Sequence, residues 1–211
     1  MMKHILCFGD SNTFGANPLG GRHPWPARWT GVMQRELGGE YRVIEEGLNG
    51  RTTVYDDPME PGRRGVSALP ACLEAHKPLD LVIVMLGTND TKHRFGATAA
   101  DLASGLGCVV SAVERFPFEE YGTPQILVVS PPAIREGISG TAYGSFTEEA
   151  AALSRRFAQL YRGVADAHGC AFFDAACVAR ASEADRLHLD AENHAALGKA
   201  LAARVRALLG S

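Results

Sequence analysis

The sequence predicts an α/β fold: a parallel sheet of five strands sandwiched between helices. Three observations predict it. Leu81-Val-Ile-Val-Met-Leu86 and Ile126-Leu-Val-Val129 are unbroken apolar runs, as strands buried on both faces require. Strand candidates alternate with segments of helical periodicity, the pattern of repeated strand–helix–strand units. The chain has 211 residues, 46% of them apolar and 21% charged, which suits one globular domain with a full core and is short for two. A single domain over 1–211 is therefore expected.

Strands are expected over 4–8, 41–46, 79–86, 125–130 and 170–174. Between the first two, Trp29, Val32, Met33 and Leu37 mark a helix closed by Gly38-Gly39. A shorter helix is expected within 67–76. Leu102, Leu106, Val109, Val113 and Phe116 recur at steps of four and three behind a Thr98 cap. Phe146, Ala150, Leu153, Phe157, Leu160 and Val164 predict one further helix, with Ser145 and Glu148 at capping-box spacing. The last helix starts after Asp190 and buries Leu197, Leu201, Val205 and Leu208. Its Lys199, Arg204 and Arg206 suit the negative end of the helix dipole. Three connections, 15–26, 56–65 and 131–144, are long for a compact domain and should start near the carboxyl edge of the sheet.

Composition removes several function classes. A formal charge of −3 supplies no basic stripe for nucleic acid. Cys7, Cys72, Cys108, Cys170 and Cys177 are scattered singly, without the spacing of a disulfide framework or zinc ribbon, and read as small buried hydrophobes in a reducing compartment. The apolar run 5–8 is too short for a signal-peptide core, and no stretch reaches membrane-spanning length. A cytoplasmic protein with neither membrane nor nucleic-acid partner is expected.

Chemistry concentrates where strands end. The first strand runs into Gly9-Asp10-Ser11, placing a hydroxyl on the carboxyl edge, where open α/β sheets bind ligands. Taken alone, Ser11 also reads as a helix N-cap. After the second strand, Gly50 permits close backbone approach and can offer its N–H. After the third comes Gly87-Thr88-Asn89-Asp90, a turn or a source of an amide donor at Asn89. After the fifth, Asp185-Arg186-Leu187-His188 spaces an acid and an imidazole for a hydrogen bond, as a helix-flanking ion pair or a catalytic one. Together these residues make a nucleophile, base, orienting acid and oxyanion donors in one set.

Gly9-Asp10-Ser11, Gly50, Gly87-Thr-Asn89-Asp90 and Asp185-x-x-His188 resemble, in order and spacing, the four signature blocks of the SGNH (GDSL) hydrolase superfamily. The resemblance implies a flavodoxin-like three-layer α/β/α sandwich and ester hydrolysis through an acyl-enzyme, with no metal and no cofactor. Ser11 would be the nucleophile, His188 the base and then acid, and Asp185 its partner. The Ser11 N–H, the Gly50 N–H and the Asn89 side chain would form the oxyanion hole.

Arg28-Trp-Thr-Gly-Val32, Ile44-Glu-Glu-Gly-Leu48, Arg51-Thr-Thr53, Asp56-Asp-Pro58, Leu86-Gly-Thr-Asn-Asp-Thr-Lys92 and Val128-Val-Ser-Pro-Pro132 narrow the match. They are similar to the intracellular arylesterase/acyltransferase branch typified by a mycobacterial acyltransferase. That branch implies a homo-oligomer with a restricted, apolar entrance and some acyl transfer to alcohols or peroxide. The chain departs from it at Asn12, where the typical member has leucine, and in the 131–144 segment.

Other candidates read as structure. His23, His76, His93, His168 and His194 lack metal-ligand spacing and are expected at the surface or as caps. Asp56-Asp57 before Pro58 reads as a turn, Trp29 as packing, and Trp25 as packing or a substrate mouth. The expected function is a serine esterase acting on small aryl or short-chain alkyl esters. A carbohydrate O-deacetylase or thioesterase is the alternative, and a catalytically silent binding protein the reading from another class.

Overall fold

Period-two alternation along three central strands builds two cores. The computed structural model describes residues 2–210. Its strands β1 (Lys3–Gly9), β2 (Tyr41–Gly47), β3 (Leu81–Met85), β4 (Gln125–Ser130) and β5 (Ala171–Asp174) form one parallel sheet in the order β2-β1-β3-β4-β5. Its helices are α1 (Ser11–Phe14), α2 (Trp29–Leu37), α3 (Gly65–His76), α4 (Ala99–Glu114), α5 (Glu148–Ser154), α6 (Phe157–Ala167) and α7 (Ala191–Leu209). Ile5, Cys7, Leu81, Ile83, Leu127 and Val129 pack with α2 and α7 on one face. Leu6, Phe8, Val82, Val84 and Val128 pack with α3, α4 and α6 on the other. The edge strands β2 and β5 are only half-buried. The result is a three-layer α/β/α sandwich, as the sequence predicts. Because β1 is flanked by β2 and β3, the chain leaves it in opposite directions, opening a crevice at the carboxyl ends.

Capping fixes where helices begin. Thr98 and Asp101 cap α4 reciprocally, with Thr98 N–H donating to Asp101 at 2.8 Å and Asp101 N–H to Thr98 Oγ1 at 3.3 Å. Asp190 accepts from Asn193 N–H at 2.9 Å and starts α7. At the first strand end the cap is Asp10, which accepts from Asn12 N–H at 3.0 Å, so Ser11 is the first helical residue rather than the cap.

The single helix expected through Phe146 and Val164 is two, α5 and α6, broken at Arg155-Arg156. Ser154 Oγ accepts from Ile134 N–H at 2.9 Å and donates to Ala151 O at 2.8 Å, tying the end of α5 to the 131–144 loop. The Ser145–Glu148 capping box does not form. Ser145 Oγ accepts from Arg94 at 2.6 Å, while Glu148 accepts from Gly137 N–H at 3.0 Å. Phe146 instead joins Ile134, Ile138 and Leu187 in a small third apolar cluster. Among the cysteines Cys7 is buried and Cys72 and Cys170 are partly buried against the core, whereas Cys108 and Cys177 are exposed, so the buried-hydrophobe expectation fails for two of the five. Among the described residues no helix is long and apolar enough to cross a membrane.

Candidate active site

A crowded turn sets Ser11. A Cβ on Gly9 would sit 2.0 Å from Thr13 Oγ1, and one on Gly47 2.0 Å from Phe14 N, so α1 lies directly on the ends of β1 and β2. Ser11 Oγ then stands 3.0 Å from His188 Nε2, across 177 residues of sequence. His188 Nδ1 is 2.6 Å from Asp185 Oδ2. Asp185 Oδ1 accepts from the N–H groups of Leu187 at 3.0 Å and His188 at 2.9 Å. Arg186 between them has φ +64°, the left-handed bend that brings acid and imidazole together. Burial pushes the Asp185 carboxyl up, but hydrogen bonds from the His188 ring and the two backbone N–H groups together hold it below its ordinary value. A carboxylate facing Nδ1 places the ring proton there and leaves Nε2 to accept from Ser11.

Opposite His188, two loops are pinned to each other and to the sheet. Gly50 takes φ +76°, and Asn89 Nδ2 donates to Arg51 O at 3.1 Å. Arg51 donates to Gly9 O at 2.8 Å and to Glu46 O, with its guanidinium 4.1 Å from the Phe8 ring centroid. Asp90 accepts from Thr53 N–H at 3.0 Å and from the Thr53 hydroxyl. Ser11, Gly50, Asn89 and His188 all line one pocket of about 760 Å³.

Two buried carboxyls lie beneath this arrangement. Burial pushes Asp10 up to about 6 and Asp90 up to about 7. The folded protein therefore holds a proton on Asp90 between about pH 4 and 7 that the unfolded chain releases, so this group's stability contribution is lost as pH rises through that window. Relative to wild type, Asp90→Asn is expected to gain in Tm from pH 4 to 8. A Tm difference that stays flat across the range would mean that Asp90 titrates as an ordinary carboxyl.

All three long loops contribute to the pocket rim, through Asn17, Glu60 and Tyr143. The Tyr143 ring meets the His188 imidazole edge-on, centroids 5.3 Å apart. Asp56-Asp57 does form a turn, with Met59 N–H donating to Asp57 Oδ1 at 3.0 Å, but Asp57 is also the centre of a buried ion cluster. Desolvation acts to raise its carboxyl, yet Arg94, Met59 N–H and Lys92 bring it down to about 2. Lys92 joins that cluster to Glu60 at 2.8 Å.

Two histidines leave the surface, and one of them, His194, takes up the first N–H of α2 as a cap would. His23 and His194 are buried, rings edge-on at 5.1 Å. His23 Nε2 donates to Leu189 O at 3.2 Å, and His194 Nδ1 accepts from Trp29 N–H at 3.2 Å. Burial and His23 hold His194 down at about 3, hence neutral. Trp29 is fully buried, while Trp25 is half-exposed and packs its carbonyl and ring against Gly31, away from the pocket lining. Among the described residues no group of three or more His, Cys, Asp or Glu is placed to hold a metal. The sequence reading missed the roles of Asn12, His23 and Tyr143 around His188; only Asn12 carried a signal, as a departure beside Ser11.

A hydrogen-bonded Ser–His–Asp series at the carboxyl edge of a β2-β1-β3-β4-β5 sheet defines a serine hydrolase. Comparison with known proteins agrees. The chain belongs to the GDSL-like Lipase/Acylhydrolase family, whose model matches residues 7–196, and is an SGNH-type serine ester hydrolase. The native aryl esterase of M. smegmatis is 41% identical and superposes with a TM-score of 0.93, covering 98% of this chain and 100% of its own. A carbohydrate acetylesterase family member from Sinorhizobium meliloti is 43% identical, TM-score 0.92, with full coverage of both chains. Est24, a carbohydrate acetylesterase from the same organism, is 39% identical, TM-score 0.89, covering 98% of this chain and 100% of that one. No curated protein matches the chain.

Proposed function

We propose that the protein hydrolyses small aryl or short-chain alkyl esters through an acyl-enzyme on Ser11. The carrying observation is the unbroken series Ser11 Oγ, His188 Nε2, His188 Nδ1, Asp185 Oδ2, at 3.0 and 2.6 Å, opening into the pocket. Ser11 Oγ attacks the ester carbonyl carbon while its proton passes to His188 Nε2. Asp185 stabilises the imidazolium so formed. The carbonyl oxygen becomes an oxyanion, taken up by the N–H groups of Ser11 and Gly50 and by the Asn89 amide. The C–O bond to the alcohol then breaks, and His188 returns the proton to the leaving oxygen. A water activated by the same imidazole repeats the attack and releases the acid.

Asn89→Ala is expected to lower kcat by roughly 10²–10³-fold, the usual cost of one oxyanion donor. A raised KM with unchanged kcat would make Asn89 a ground-state binding residue instead.

A second reading, removal of acetyl groups from carbohydrate, is supported by the polar rim at Asn17, Asn49, Glu60 and Arg186 and by the likeness to the two Sinorhizobium meliloti carbohydrate acetylesterases. p-Nitrophenyl esters of increasing acyl length, assayed beside acetylated sugars and acyl-CoA, separate the readings. Highest kcat/KM on the short aryl esters supports the first, and sugar acetates ahead of them support the second. Acyl-CoA ahead of both would mark a thioesterase and overturn each. Acyl transfer to alcohols or peroxide, a homo-oligomeric state and a cytoplasmic location complete the proposal, and rest on the resemblance to the arylesterase/acyltransferase branch.

A further inference from the structure

The backbone that carries His188 is held from both sides by the residue next to the nucleophile. Asn12 Oδ1 accepts from Leu189 N–H at 3.0 Å, and Asn12 Nδ2 donates to Leu187 O at 3.5 Å. Leu187 and Leu189 flank His188, so one amide spans the base. Asn12 is buried, with 3% of its surface exposed, and is absent from the pocket lining.

The other backbone groups of this tripeptide are also accounted for. Leu187 N–H and His188 N–H donate to Asp185, His188 O accepts from Ser182 N–H at 2.7 Å, and Leu189 O accepts from His23. Of six polar groups, Asn12 satisfies two, each buried and costly to leave unpaired. Only a side-chain amide offers one donor and one acceptor at this spacing, since a carboxylate only accepts and a serine hydroxyl is too short to span the pair. The amide's orientation follows too: turned over, it would set donor against donor at Leu189 and acceptor against acceptor at Leu187.

We propose that Asn12 is a positioning residue for the general base. Its amide locks the 187–189 backbone to the nucleophile turn and so sets the reach from His188 Nε2 to Ser11 Oγ. The proposal rests on the Ser11–His188 reading above. Ser11 and Asn12 are consecutive, so the lock fixes nucleophile and base through one peptide unit rather than through two independently moving loops. Such registry acts on the proton transfer and leaves ester binding alone.

The test compares Asn12→Leu, which matches the shape and removes both bonds, with Asn12→Asp, which keeps the acceptor toward Leu189. Asn12→Leu is expected to lose on the order of 10²-fold in kcat with little change in KM. Asn12→Asp is expected to lose less than Asn12→Leu, because it keeps the bond to Leu189 N–H although its second oxygen then faces the Leu187 carbonyl without a donor. A second readout needs no substrate: the far-downfield proton resonance of the short His188–Asp185 hydrogen bond should broaden or move upfield in Asn12→Leu and persist in Asn12→Asp.

Wild-type kcat in Asn12→Leu overturns the proposal, as does a loss confined to KM. So does an equal loss in both variants with the resonance unchanged. Should Asn12→Leu fail to fold, Asn12→Ala replaces it in both measurements; if that also fails to fold, Asn12 serves stability and the proposal falls. Labelling of Ser11 by a phosphonate reads the nucleophile separately, so an Asn12 failure with labelling intact removes the lock alone.

Discussion

Ser11→Ala is expected to fold as wild type does and to lose several powers of ten in kcat/KM on any ester the enzyme hydrolyses. The substitution removes one hydroxyl, hydrogen-bonded to His188 Nε2 on the pocket wall, and leaves the apolar cores untouched. Far-UV circular dichroism and Tm should be nearly unchanged. Because nucleophile, base and acid act as a unit, deleting one member removes nearly the whole effect of the series. A serine-reactive phosphonate should add one mass equivalent to wild type, mapping to the peptide that holds Ser11, and none to the variant. Wild-type turnover by purified Ser11→Ala would sink the mechanism.

Asp185→Asn should cost on the order of 10⁴-fold in kcat, through the tautomer rather than through lost charge alone. Asp185 Oδ1 already accepts from the N–H groups of Leu187 and His188. An asparagine must keep its oxygen there, which turns its NH₂ toward His188 Nδ1. The ring then carries its proton on Nε2 and offers Ser11 no lone pair. Steady-state kinetics on folded variant checks this. Full activity would mean that another group orients His188, leaving a Ser11–His188 dyad.

The strands and the four sequence blocks that meet at the pocket are legible because each is written locally. Val82 to Met85 and Ile126 to Val129 fall on alternate faces of a doubly covered sheet, and both faces demand apolar residues. Gly9, Gly50 and Gly87 mark turns whose shape excludes other side chains, so they announce the places where strands deliver functional groups. What was illegible is non-local. The break between α5 and α6 accompanies a bond from Ser154 to Ile134, 20 residues earlier. The burial of His23 and His194 depends on partners at Leu189 and Trp29, over 160 residues away in each case. Asn12 looked anomalous because its two partners lie at the other end of the chain.

The packing around Ser11 has a consequence for how such an enzyme can be altered. The turns beneath the nucleophile have no spare volume: a methyl group on Gly87 would lie 1.8 Å from the Tyr161 hydroxyl, as tight as those considered at Gly9 and Gly47. The rim is the reverse, since a side chain begun at Gly140 or Gly144 meets no atom within 4 Å and needs no left-handed backbone. Both of these glycines line the pocket. Mutational freedom is thus partitioned by depth. Substrate preference can drift or be redesigned at the mouth with almost no penalty to folding, while the reacting groups below are locked against the same random changes.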